Sequence, residues 1–256
     1  RHASLDSPRA MFLAETSGVL DECVPVSLLQ CHQPWARSLE RSLRDLIFRY
    51  ESVGDDFVVE PRIRYGWFIE EGDYGVKVEH HRGDNDGKLG SFRFEPPITD
   101  LDDQFDQLRF REPVVDRERT AQWATLLNEL FGDILPVVLR GSYWWTTGLT
   151  ITAVDLIGLE QLMVAMMTNP AGVHRLMAFL RDDFMHYLDW FEAEGLLTPN
   201  NEDDYIGSGS IGYTRELPGP GVAAGAPVRV SDLWGLSESQ ETVGVSPRMF
   251  EEFVFP

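Results

Sequence analysis

The sequence predicts an α/β fold of the (β/α)8 TIM-barrel type, incomplete within this chain and carrying a β-rich excursion at residues 55–98. Three observations lead there. Short apolar runs that end in Gly- and Ser-rich loops alternate with long stretches of helical periodicity. The segments between the later runs read as helical throughout, which is the connection parallel strands need. At 256 residues with 43% apolar side chains, the chain can bury one large core, so residues 1–256 read as a single domain.

The elements follow in order. Residues 34–50, PWARSLERSLRDLIFRY, place Trp35, Leu39, Leu43, Leu46, Ile47 and Tyr50 at helical spacing, with Arg and Glu on the wet face. Residues 55–98 break into short apolar runs interrupted by Gly and Asp-Gly, the pattern of strands and loops. Residues 99–108 and 116–131 read as helices with Thr99 and Asp116 as N-caps, and Gly132 closes the second. The run DILPVVLRG is too short for another helix and fits a buried parallel strand ending at Arg140-Gly141. Residues 155–195 carry two helices split at Asn169-Pro170, and their Met- and Leu-rich stripe reads as a packed core face. DDYIGSGSIGYT and VRVSDLWG then read as two further strands. Ser246-Pro247 opens a last helix as N-cap and first-turn proline. A helix just begun at the end of the sequence, and a start at Arg1 without Met, give the expectation of an enzyme trimmed at both ends.

Charge excludes some partners. Acids outnumber bases 42 to 22, giving a net charge of −20, and the pI is near 4.6. Duplex binding needs Lys and Arg to displace counterions, so nucleic acid is not expected, and anionic membrane surfaces are disfavoured for the same reason. Cys23 and Cys31 are too few for a disulfide framework and read as thiols of a cytoplasmic protein.

In a barrel the chemistry sits on loops after the carboxyl ends of strands. Arg140, residues 208–213 and residues 232–241 follow three expected strands and should converge on one mouth. Arg140, Asp232 and Glu238 are the catalytic candidates. Arg140 suits a substrate carboxylate or, equally, a salt bridge to a neighbouring acid. Glu238, Gln240 and Glu241 offer two carboxylates and an amide, against a plain reading as exposed loop acids. Trp234, Tyr213, Gln240, His80 and Trp144 are the substrate-binding candidates. In VEHHRGD, His80 and His81 point to opposite faces if they lie on a strand, with a solvent-facing hairpin as the plain alternative. The glycines around Ser208 match neither a P-loop nor a dinucleotide fingerprint, and no HExxH, CxxC or GxSxG motif is present.

The runs DLWGLSESQETVGVSPRMFEEFVFP, PAGVHRLMAFLRDDFMHYLDWFEAEGLL and LRGSYWWTTGLT together resemble the uroporphyrinogen decarboxylase superfamily, which groups haem-pathway decarboxylases with corrinoid-dependent methyltransferases. The likeness is good over the second half and loose over the first. It implies a barrel with its site at the carboxyl-end mouth and a small-molecule substrate. The decarboxylases grip their substrate's carboxylates with an arginine-bearing motif near the N-terminus, and RHASLDSPRAMFLAETSGVLDE has none. The methyltransferase branch implies Zn²⁺ held by His and Cys on late strands, and a corrinoid carried by a partner protein. In that branch a Cys-rich segment follows the last helix, so the zinc ligands are expected beyond Pro256. Corrinoid-linked methyl transfer is the first expectation; a carboxy-lyase or another barrel enzyme acting on a carboxylated molecule, and a non-catalytic small-molecule binder, are the alternatives.

Overall fold

A computed structural model describes residues 6–16, 18–82, 92–141, 147–207, 210–212, 214, 216–219, 222–223 and 225–255. The fold is mixed α/β. Its helices are α1 (Leu20–Cys23), α2 (Pro34–Phe48), α3 (Leu101–Gln104), α4 (Arg117–Phe131), α5 (Leu149–Ile157), α6 (Leu159–Thr168), α7 (Pro170–Ala193) and α8 (Pro247–Phe253). Its strands are β1 (Ile63–Tyr65), β2 (Phe68–Glu70), β3 (Glu79–Arg82), β4 (Phe92–Glu95), β5 (Val114–Asp116), β6 (Val137–Leu139), β7 (Asp204–Gly207) and β8 (Ser210–Gly212).

Among the described residues these strands form four two-stranded sheets rather than a closed barrel. β1 pairs with β6 in parallel, Arg64 opposite Val138, while β2–β5, β3–β4 and β7–β8 are antiparallel. The β-rich stretch at residues 55–98 is tied to the body of the fold, because β1 and β2 take their partners from β6 and β5 further along the chain.

Two strand expectations are corrected. Residues 228–234 do not form a strand: Val230–Asp232 is a 3-10 turn. Backbone donors here are taken locally or by side chains, Arg229 N by Asp232 Oδ2 at 2.9 Å, Val230 N by Glu192 Oε1 at 2.7 Å and Asp232 N by Arg229 O at 2.9 Å, which competes with a strand ladder. β7 is a strand, but it pairs antiparallel with its neighbour β8 instead of joining a parallel sheet.

Helix boundaries follow local chemistry. Asp116 caps α4 by accepting from Arg119 N, Asn169 caps α7 by accepting from Gly172 N, and Ser246 caps α8 by accepting from Met249 N. At α3 the cap is Asp100, which accepts from Asp102 N and Asp103 N, and not Thr99. Gly132 stays right-handed at φ −62°, so α4 runs on into a turn without a left-handed stop. The helical region before Asn169 contains one more break than expected: Gly158, at φ 85° and ψ 147°, turns α6 by 96° from α5.

α7 is the spine, 24 residues long, or about 36 Å at the usual rise. Its first half packs Val173, Leu176 and Leu180 with Leu156, Ile157, Leu162 and Met166 of α5 and α6, with Ile98, Leu101 and with Phe253 of α8. Its second half packs Tyr187, Leu188 and Phe191 beneath Trp67, Ile69 and Val115 of the β2–β5 pair. No single helix among the described residues is long and apolar enough to cross a membrane, and the bent α5–α6 pair buries Val154, Leu156, Ile157, Leu162 and Met166 in the core.

Candidate functional site

The parallel pair β1–β6 sets the stage. Arg140 N donates to Tyr65 O at 2.8 Å just past the end of the ladder, which places the Arg140 side chain beside Arg64 at the carboxyl ends of both strands. Into this end comes β7, led by its first residue. Asp204 Oδ1 accepts from Arg140 Nε at 2.8 Å and Arg64 Nη1 at 2.9 Å, and Asp204 Oδ2 accepts from Arg140 Nη2 at 2.6 Å and Glu202 N at 2.9 Å. Four donors on one nearly buried carboxylate make this a rigid clamp.

The neighbouring acid is held differently. Asp203 lies at φ 46°, the left-handed region, and is the one non-glycine residue found there among the described residues. Its Oδ1 accepts from Arg64 Nη2 at 2.7 Å, and no donor among the described residues is bonded to its Oδ2. Burial raises the Asp203 carboxyl to about 6; Arg64 opposes the rise, and Glu60 and Asp204 add to it. Arg64 also pairs with Glu60, and Arg62 bridges Glu60 at 2.9 Å and Glu202 at 3.1 Å. Arg64, Tyr65, Gly66, Arg140, Gly141, Asp203, Asp204 and Tyr205 line an open cleft of about 300 Å³. The site therefore offers a carboxyl group poised to exchange protons near neutral pH, on a strained backbone, against a fixed guanidinium wall.

No family of protein-sequence models, no curated protein and no solved structure matches this chain.

Of the residues proposed from sequence, Arg140 lines the cleft, but its fork is already engaged by Asp204 and, at 3.5 Å, Glu202. Asp232, Trp234, Glu238 and Gln240 are absent from the cleft's lining. Asp232 caps its own turn and borders a separate pocket of about 170 Å³ with Pro199, Pro218 and Val228. Trp234 exchanges two backbone bonds with the Asn200 amide, at 2.9 and 2.8 Å, and its buried Nε1 has no partner among the described residues. Glu238 accepts from the exposed Gln240 amide at 3.1 Å, while Glu241 accepts from Thr150 Oγ1 at 2.8 Å and ties its loop to α5. Trp144, Tyr213 and the side chain of His80 lie outside the described residues.

Sequence reasoning missed Arg64, Asp203 and Asp204. The signal was the doubled acid in NNEDDY together with the alternating arginines of PRIRY. An all-parallel sheet would put the start of β7 at the far end from the mouth. Here Asp204, the first residue of β7, stands at the ends of β1 and β6 through its bonds to Arg64 and Arg140.

No histidine or cysteine lines the cleft. Its donors do not fit the thiolate and imidazole zinc site that the family resemblance implies.

Proposed function

We propose that this protein is an enzyme acting on a small polar molecule in the cleft at the ends of β1 and β6, with Asp203 as the proton acceptor. The carrying observation is Asp203 itself: a carboxyl raised to about 6, in a left-handed backbone conformation, lining an open cleft. Arg64 fixes its Oδ1 and leaves Oδ2 to receive a proton. Asp204 and Arg140 hold each other and so keep the three chain segments in register around it.

Within this class we take corrinoid-linked methyl transfer as the reading, on the resemblance to the uroporphyrinogen decarboxylase superfamily. Asp203 would take the proton released as the methyl acceptor becomes a nucleophile, a role for which a base titrating near 6 is suited. The corrinoid would come on a partner protein. Decarboxylation of a polycarboxylate is less well supported, because each cleft arginine already faces an internal carboxylate. The parallel β1–β6 pair, with its site at the strand ends, is what a (β/α)8 barrel would supply.

The test is demethylation of methylcobalamin by the intact protein in the presence of candidate thiol and alcohol acceptors, wild type against Asp203→Asn. The expected result is acceptor-dependent loss of the methyl group that falls by ~10²-fold or more in the variant, the usual scale for a positioned base. CO₂ release without demethylation would move the assignment to the carboxy-lyase, and binding without turnover to a non-catalytic protein.

A further inference from the structure

The β3–β4 hairpin shares no lining residue with the cleft, and its exposed face carries a different chemistry. Its register sets Glu79 opposite Glu95 and His81 opposite Arg93. Side chains alternate along a strand, so Glu79 and His81, two apart, share a face, and Glu95 meets Glu79 across the ladder on that same face. One ligand atom from each of Glu79, His81 and Glu95 can be drawn into a set lying within 4.8 Å of one another. His81 Nε2 stands 3.7 Å from Glu95 Oε1.

We propose that Glu79, His81 and Glu95 form a binding site for a divalent transition metal of the Zn²⁺ class. Two carboxylates directly opposite on an exposed antiparallel pair repel, and the pairing gives the hairpin no structural gain. A cation between them turns that repulsion into ligation. The imidazole selects the kind of ion: Mg²⁺ and Ca²⁺ take all-oxygen sets, whereas one nitrogen and two carboxylate oxygens suit Zn²⁺ and its neighbours. The register of two hydrogen-bonded strands brings the three ligand-bearing positions together before the metal arrives. They leave at least one coordination position for water or an incoming ligand.

The experiment is a titration of the intact, thiol-reduced protein with Zn²⁺ in competition with a chromophoric chelator. Wild type is compared with His81→Ala, His81→Gln and Glu79→Gln, and Cys31→Ser and His32→Ala serve as controls away from the hairpin. The expected result is one competitive zinc per chain, weakened by roughly tenfold or more in each of the three hairpin variants, since losing a direct ligand should cost at least what losing an outer-shell partner does. The two controls should keep wild-type affinity. Far-ultraviolet circular dichroism on the same samples confirms that the variants retain the fold, and the two His81 substitutions guard against one of them failing to do so. Zinc binding that survives undiminished in both His81 variants, or a wild-type protein that takes no zinc from the chelator, would overturn the proposal.

Discussion

Arg140 and Asp204, 64 residues apart in the chain, meet fork to carboxylate through two bonds of 2.8 and 2.6 Å. Both are nearly buried, with side chains 10% and 7% exposed. Removing either member strips a nearly buried charge of its closest charged partner, leaving Arg140 with only Glu202 at 3.5 Å or Asp204 with only Arg64, and that loss is destabilising. Asp204→Ala should lower stability by ~3 kcal/mol, read as a fall in the urea midpoint at constant slope. Arg140→Lys should recover little of the wild-type value, because an ammonium cannot reproduce the planar two-point contact.

A second clamp lies under the helical spine. Asp183, fully buried on α7, accepts from Arg111 N and Nε, both at 2.7 Å, and the guanidinium lies 4.2 Å over the Tyr187 ring. Tyr74 closes the other side, its hydroxyl pushed up to about 12 by burial. Asp183→Ala should cost ~3–5 kcal/mol by chemical denaturation. The Arg111→Met, Asp183→Leu double variant should recover part of that loss, since an apolar pair leaves no buried charge.

Gly158 sets the angle between α5 and α6. At φ 85° and ψ 147° its backbone is open to glycine alone, and an added Cβ would stand 3.0 Å from Pro96 Cγ. Gly158→Ala should therefore destabilise by about 1–3 kcal/mol in thermal or chemical unfolding. The surface glycine Gly219, where an added Cβ meets nothing within 4 Å, should tolerate the same change with little loss.

The helices were legible because their signals are local. Asp116, Asn169-Pro170 and Ser246-Pro247 each announce a helix start within three residues, and the Met and Leu spacing on α6 and α7 announces the buried face. The sheets were less so. A run such as VRVSDLWG has strand composition, yet a carboxylate from α7, Glu192, captures its backbone donor, and nothing near residue 230 in the sequence reveals that. The site depended on where one strand starts. Asp204, the first residue of β7, bonds to Arg64 and Arg140, which lie 140 and 64 residues away in the chain, and no local pattern announces that meeting. Arg140 was found from its position after β6; Asp203 was not, because its φ of 46° and its burial are consequences of the tertiary fold.

Asp203 also leaves a mark on stability. Its pKa is raised in the folded chain to about 6, against about 3.9 unfolded. Between those values the native state holds more protons than the unfolded one, so its contribution is fully present below about pH 4 and is lost as pH rises through about 6. Wild-type stability relative to Asp203→Asn should therefore decline across that window and level off above it. Matched urea titrations of the two proteins from pH 4 to pH 7 check the sign.

The most direct measurement of the central claim is the titration of Asp203 itself, followed through its side-chain carboxyl ¹³C resonance in the intact protein and assigned by its disappearance in Asp203→Asn. A midpoint near 6, moving downward when Glu60→Gln removes a neighbouring negative charge while burial keeps it raised, is the predicted result. A wild-type midpoint at or below the ordinary aspartate value of about 3.9 would contradict the assignment of Asp203 as the proton acceptor of this cleft.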